Sequence, residues 1–113
     1  LTSGGQVEYE QVKFLPYRIN HPTVYQKLRE TACRVLGEDK VLRPDVRGLG
    51  GEDFGYLTRL KPCVFFFFGT KPVGVDKVPP VHNCRFNIPD ESFEAPLKLM
   101  ISFVLDHMEG FEL

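Results

Sequence analysis

Two short motifs contain the side chains best suited to chemistry. The first is the glycine-rich stretch "GLGGEDF", in which Gly50 and Gly51 precede two adjacent carboxylates, Glu52 and Asp53. Such a turn can start a helix, because carboxylates there oppose the positive end of the helix dipole. It can also pack against a ligand, with backbone amides or a carboxylate directed at that ligand. The residue types alone leave both interpretations open.

The second motif is "VPPVHNCRF", in which Pro79 and Pro80 stiffen the backbone before His82. A neutral imidazole on a stiff loop is suited to metal binding. Cys84 follows two residues later, but one histidine and one cysteine do not make a zinc site, and a hydrogen-bonded structural histidine is the alternative. The sequence contains no nucleophile with a recognisable base, no H-E-x-x-H motif and no P-loop.

The composition excludes several classes of partner. The chain has 113 residues, a net charge of −1 and 42% hydrophobic residues, so it has neither a nucleic-acid footprint nor a polybasic membrane patch. No apolar run approaches the roughly eighteen residues that a membrane span needs. The three cysteines are odd in number and form no C-x-x-C pair, which is typical of reduced thiols in a cytoplasmic protein. We expect no nucleic-acid or membrane partner.

Hydrophobic periodicity predicts helices that alternate with strands. The predicted helices cover residues 22–36, 52–60 and 92–108, and the predicted strands cover residues 7–15, 41–42 and 64–68. The four prolines of residues 70–90 indicate a long loop. The order β-α-β-α-β-α predicts an α/β fold with a mixed sheet and flanking helices.

Two segments carry more apolar surface than so short a chain can cover. Residues 64–68 are apolar on both faces of the predicted strand, as in a strand covered on both sides. The last helix is apolar nearly all round, which is typical of a buried helix. Its main stripe consists of Phe93, Leu97, Met100, Ile101, Val104 and Met108, and its remaining apolar positions are Leu99, Phe103 and Leu105. This excess predicts that the chain is part of a larger catalytic domain.

Four motifs taken in order resemble the end of a known family. These are "NHPTVYQKLRETACRVLGEDKV", "GLGGEDFGYL", "CVFFFFGT" and "VHNCRFNIPDESFEAPLKLMISFVLDHM". The family is that of the metal-dependent amidohydrolases and carboxypeptidases, which includes hippurate hydrolases, auxin-conjugate hydrolases and aminoacylases. The chain departs from the family pattern in having Leu49 where Met is usual and His21 where an acidic residue is common.

The resemblance implies a zinc-peptidase-like catalytic domain that is interrupted by a small lid and dimerisation domain. Residues 1–20 would then be the end of the lid and the return hinge, and residues 21–113 would be the closing part of the catalytic domain. His82 matches the family's C-terminal metal-ligand histidine. The turn that borders the substrate pocket is matched by Gly50, Gly51, Glu52, Asp53 and Phe54.

The resemblance also implies a reaction for the parent enzyme. The parent would use two divalent metal ions, zinc or manganese, to cleave the amide bond of an N-acyl amino acid or a similar peptide-like substrate, and would dimerise through its lid. The remaining metal ligands and the catalytic glutamate of the family lie upstream of this segment. We therefore expect no catalytic residue here and no activity from the segment alone. The alternative is a non-catalytic truncated paralogue that acts as a structural or interaction module.

Overall fold

The computed structural model describes residues 4–10, 15–43, 51–108 and 110. In this part of the chain the regular structure is helical. Three α-helices, α1 (Pro22–Leu36), α2 (Phe54–Leu60) and α3 (Glu94–Asp106), are joined by 3-10 turns at Glu38–Lys40 and Asp90–Phe93. None of the helices in the described ranges has the length and apolar character required to cross a bilayer.

Helix α1 begins and ends where its sequence predicts. Pro22 opens it, at the position where the missing N–H and the fixed φ of proline suit a helix start. Gly37 ends it with a φ of 97°, a left-handed conformation that glycine adopts readily. Val24, Leu28 and Ala32 lie on one face and are buried, as the apolar spacing predicts.

Helix α3 packs across α1 and completes the small core. The core cluster consists of Leu28, Ala32 and Leu99, with Leu99 only 3% exposed. At the other end of the contact, the buried hydroxyl of Thr31 donates to the Asp106 carboxylate across 3.0 Å. Contacts between residues this far apart in sequence fix the orientation of the two helices.

The first turn of α3 accommodates Pro96, as predicted, because the helix begins only two residues earlier at Glu94. A hydrogen bond and ion pair with Lys98, one turn further along, lowers the pKa of the Glu94 carboxyl.

The most apolar stripe of α3 faces away from α1. Leu97, Ile101, Val104 and Leu105 each leave more than half of their side-chain surface exposed. The residues that contact the core, Leu99 and the partly buried Phe103, come from the narrower set of apolar positions on the other side. Helix α3 is therefore apolar on two sides, of which one packs against α1 and the other is exposed.

The predicted α/β fold with a mixed sheet and the order β-α-β-α-β-α is wrong for the described residues. Residues 7–10, 41–42 and 64–68 are not strands, and residues 11–14 lie outside the described part. The physical reason is that a strand is defined by pairing with a neighbouring strand, and no described segment provides one.

Residues 64–68 nevertheless keep the alternation of an extended chain. Val64, Phe66 and Phe68 pack on the core formed by α1 and α3. Phe65 points the other way, where its ring lies 5.4 Å from the ring of Phe54 and 3.8 Å from the guanidinium carbon of Arg18. The apolar period therefore predicts correctly which residues share a face, although the segment has no strand partner.

Candidate functional site

The glycine-rich turn starts helix α2 and is held by the carboxylate that the sequence singles out. An Oε1 atom of Glu52 accepts a hydrogen bond from the Phe54 backbone N–H at 3.3 Å. The backbone N–H groups of Gly55 and Tyr56 donate to the carbonyls of Glu52 and Asp53 at 3.1 and 2.9 Å. The contact of Glu52 supports the helix-start interpretation for that residue, whereas Asp53, the N-cap residue of α2, makes no side-chain capping hydrogen bond.

The glycines of this turn have different constraints. Gly50 lies outside the described residues. Gly51 has no positive φ, and a Cβ placed there would lie 2.8 Å from Cδ1 of Leu15, the far end of a side chain that can move. Gly55 is buried, and a Cβ there would lie 2.5 Å from the rigid carbonyl oxygen of Pro16. The strictest requirement for glycine is therefore at Gly55.

Sequence reasoning missed Gly55. The available signal was a glycine inside a predicted helix, which costs stability unless close packing requires it. Gly55 lies against Pro16, so the start of α2 packs closely on the segment that leads into α1.

His82 lies in an exposed turn and has an unusual backbone conformation. Its φ is 67°, and among the described residues it is the one non-glycine residue with a positive φ. The N–H of Asn83 donates to the Pro80 carbonyl at 3.2 Å, and the Oδ1 of Asn83 accepts from the Arg85 N–H at 2.8 Å. Residues with positive φ are uncommon and concentrate at functional sites, although histidine tolerates this region better than most residues. The imidazole itself is exposed.

The described residues do not bring together a complete metal site. Within them, no group of three or more histidine, cysteine or carboxylate side chains lies close enough to hold an ion. Cys84 is exposed near His82, whereas Cys33 is partly buried on α1. Across the described part of the chain, no hydrogen bond, ion pair or ring contact joins the turn at 51–54 to the loop at 78–86.

The other two histidines, His21 and His107, contact residues outside the His82 loop. Nδ1 of His107 lies 2.9 Å from the carbonyl oxygen of Phe103, one turn earlier in α3. The backbone N–H of His21 donates to the Cys63 carbonyl at 2.9 Å, while its buried Nδ1 has no partner in the described segments. Neither residue lies in the His82 loop.

Comparison with known proteins defines the class. Residues 4–106 match the model of peptidase family M20/M25/M40, and the chain belongs to that family. It is 24% identical over 106 residues to an uncharacterized hydrolase, y4tI, of Sinorhizobium fredii (strain NBRC 101917 / NGR234). That alignment covers 94% of this chain and 26% of the relative, so the chain spans about a quarter of the relative's length. No solved structure matches the chain.

The family match includes both motifs from which the sequence analysis began. It covers the turn from Gly50 to Phe54 and the loop that carries His82. The membership of the chain in a hydrolase family is therefore established.

Proposed function

We propose that this chain is the C-terminal part of a metal-dependent amidohydrolase that cleaves the amide bond of N-acyl amino acids or similar small amides. The observation that carries the proposal is the family match over residues 4–106, which covers the ordered motifs except for the last two residues of the fourth. The similar protein from Sinorhizobium fredii is described as a hydrolase, which agrees with this class of reaction. Residues 1–20 end the lid and return hinge, and residues 21–113 close the catalytic domain.

In this proposal, His82 is one ligand of a site for two divalent ions, zinc or manganese. Such ions polarise the scissile carbonyl and supply a nucleophilic water near neutral pH. Within the described residues, no three metal-ligating side chains lie together, so the proposal takes His82 as one ligand among several. The other ligands and the proton-transferring glutamate come from the rest of the polypeptide, and we assign no catalytic step to this chain.

The turn from Gly50 to Phe54 forms part of the wall of the substrate pocket in the proposed enzyme. Glu52 is engaged with the Phe54 N–H, so its role is to hold the start of α2 rather than to transfer a proton. Phe54 in turn contacts Phe65, which ties this wall to the segment that packs on the core. The lid contributes the surface through which the complete enzyme forms a homodimer.

The test uses the polypeptide encoded by the complete open reading frame, with His82→Ala and His82→Asn variants. Asparagine tolerates the left-handed backbone of this position, so a defect shared by both variants reflects loss of the imidazole and not backbone strain. Both variants are expected to lose bound metal, and to lose activity by more than about 100-fold, since loss of an outer-shell partner alone costs about 10- to 100-fold. The Tm of both should change little.

Val81→Ala is the matched control, because Val81 is an exposed neighbour in the same loop and has no ligand atom. It should keep metal content and activity. Full metal occupancy and full activity in both His82 variants would show that His82 is only a structural loop residue.

Activity of the isolated chain tests the assignment of the missing ligands, and the open reading frame separates the proposal from its alternative. The isolated 113-residue chain should not hydrolyse hippurate-type substrates, even with added zinc or manganese. Metal-dependent turnover by the pure chain, abolished by His82→Ala, would show that the assignment of the missing ligands is wrong. The alternative, a non-catalytic truncated paralogue, is favoured if the open reading frame starts near Leu1 and lacks upstream histidine motifs and a Glu-Glu pair.

A further inference from the structure

The segment of residues 15–20 leads into α1 and packs with one side against the protein; we call it the entry segment. Its even-numbered residues, Pro16, Arg18 and Asn20, are half-buried, and its odd-numbered residues are exposed. This period of two is typical of an extended chain with one packed side. The packed side faces the elements that carry the glycine-rich turn.

The entry segment contacts the glycine-rich turn at two glycines that are four residues apart. A Cβ at Gly51 would lie 2.8 Å from Cδ1 of Leu15, and a Cβ at Gly55 would lie 2.5 Å from the carbonyl oxygen of Pro16. The space that these two glycines leave is therefore filled by the entry segment. Consequently, the position of the turn depends on where the entry segment is held.

Asn20 fixes the entry segment to Phe65 through two hydrogen bonds. Its Nδ2 donates to the Phe65 carbonyl and its Oδ1 accepts from the Phe65 N–H, each at 2.8 Å. A carboxamide has both the donor and the acceptor that this pairing needs, whereas a carboxylate of the same shape can only accept. The guanidinium carbon of Arg18 lies 3.8 Å from the centre of the Phe65 ring, in a cation–π contact. Phe65 is thus held at its backbone by Asn20 and at its ring by Arg18.

Phe65 in turn contacts the residue that ends the glycine-rich turn. The rings of Phe65 and Phe54 have their centroids 5.4 Å apart and their planes inclined by 57°, an arrangement in which aromatic rings attract. The backbone N–H of Phe54 donates to Oε1 of Glu52 at 3.3 Å. A continuous set of contacts therefore runs from Asn20 through Phe65 to Phe54 and Glu52.

We propose that Asn20 is a positioning residue for the wall of the substrate pocket and acts through Phe65 on Phe54. This inference rests on the proposed function, in which the turn from Gly50 to Phe54 borders the substrate. Asn20 acts on the wall and not on the substrate or the metal. Because the wall binds substrate without transferring a proton, its displacement weakens substrate binding and leaves the chemical step largely unchanged.

The kinetic test uses Asn20→Ala and Asn20→Asp in the polypeptide of the complete open reading frame, with an N-acyl amino acid that it cleaves. Aspartate keeps the shape of asparagine but, as a carboxylate, cannot donate to the Phe65 carbonyl. Both variants should raise KM about 10-fold and change kcat by less than about 2-fold, with metal content unchanged. Phe65→Leu removes the ring that links Asn20 to Phe54. On that background, Asn20→Ala should raise KM by less than about 2-fold.

Thr31→Val is the matched control for loss of stability. It removes a buried hydrogen bond to Asp106 in the contact between α1 and α3. It should lower Tm, as the Asn20 variants should, but it should leave KM unchanged. If the Asn20 variants lower Tm and keep the original KM, Asn20 only stabilises the fold and the inference is overturned.

A second measurement is independent of activity. In the 113-residue chain, the amide NMR signals of residues 52–55 should shift more in Asn20→Ala than in Thr31→Val, because the Phe65 ring changes position beside Phe54. Unchanged signals overturn the inference even if the complete polypeptide is an active amidohydrolase. If that polypeptide binds no metal and cleaves no N-acyl amino acid, the proposed function fails, and these signals alone decide whether Asn20 positions the turn.

Discussion

Gly55 lies where the first turn of α2 touches the segment that precedes α1. Its position in a helix would favour alanine by about 1 kcal/mol on helix propensity. The steric term has the opposite sign and is larger, because the Cβ would lie 2.5 Å from the Pro16 carbonyl oxygen, which belongs to the backbone. Side chains can rotate out of such a contact, whereas a backbone carbonyl can move only if α2 moves with it.

We expect Gly55→Ala to destabilise the chain by about 1 to 3 kcal/mol, since overpacking outweighs the propensity gain. The measurement is the free energy of unfolding from urea titration. Gly69→Ala is the control, because no atom lies within 4 Å of the Cβ position at Gly69, and it should be neutral or slightly stabilising. Equal midpoints for Gly55→Ala and the parent sequence would show that α2 shifts without cost.

At the scale of elements, the contact between α1 and α3 combines an apolar cluster with one polar clamp. Asp106 accepts from Thr31, which is 4% exposed, and forms an ion pair with Arg34, whose side chain is 58% exposed. The two interactions share one carboxylate oxygen but differ in burial. A buried hydrogen bond contributes more to stability than an exposed ion pair, because solvent screens the latter and long side chains lose entropy in forming it.

Thr31→Val keeps the shape of the buried side chain and removes only its hydroxyl. It should lower the free energy of unfolding by about 0.5 to 1.5 kcal/mol. Arg34→Ala should lower it by less than about 1 kcal/mol, and that loss should shrink in high salt. Denaturant titrations of both variants at low and high salt test the ranking. A larger, salt-sensitive loss for Arg34→Ala would mean that the ion pair is the main link between the helices.

The helices were predicted correctly and the sheet was predicted wrongly, for one physical reason. Helix signals are local: Pro22 and Gly37 punctuate α1, and Pro96 limits the start of α3. A strand depends on a partner that is distant in sequence, so its pattern can be present without pairing. Residues 64–68 show this, because their alternation is realised while their partner on one edge is the side chain of Asn20. No period in the sequence reveals that contact.

For the candidate site, the roles of His82 as a metal ligand and of the glycine-rich turn as a pocket wall stay predictions. The sequence identifies His82 and the glycine-rich turn as chemically suggestive, and the family match covers both. The capping role of Glu52 was one of two open interpretations, and it took the geometry of the turn to favour it. The sequence does not reveal the positive φ of His82, because most histidines in proteins have a negative φ.

At the scale of the whole molecule, the chain exposes far more surface than a compact protein of its mass. Its accessible surface is 10398 Å², whereas a compact monomer of 12.9 kDa exposes about 6,300 Å². Its radius of gyration is 19.1 Å, against about 13 Å for a compact domain of this length. The excess includes the outer side of α3, where Ile101 and Leu105 are 58% and 63% exposed. Contiguous apolar surface of this kind mediates association.

Ile101→Lys tests what covers that surface. In the 113-residue chain, the substitution should reduce self-association in sedimentation velocity and change the free energy of unfolding by less than about 0.5 kcal/mol, as for an exposed site. In the polypeptide of the complete open reading frame, it should destabilise by more than about 3 kcal/mol, because a charge would replace an apolar contact in a covered face. Lys98→Gln, on the same helix, is the control and should be nearly neutral in both, since it removes only an exposed ion pair with Glu94. If the longer polypeptide tolerates Ile101→Lys as well as the short chain does, the outer side of α3 faces solvent in the complete protein.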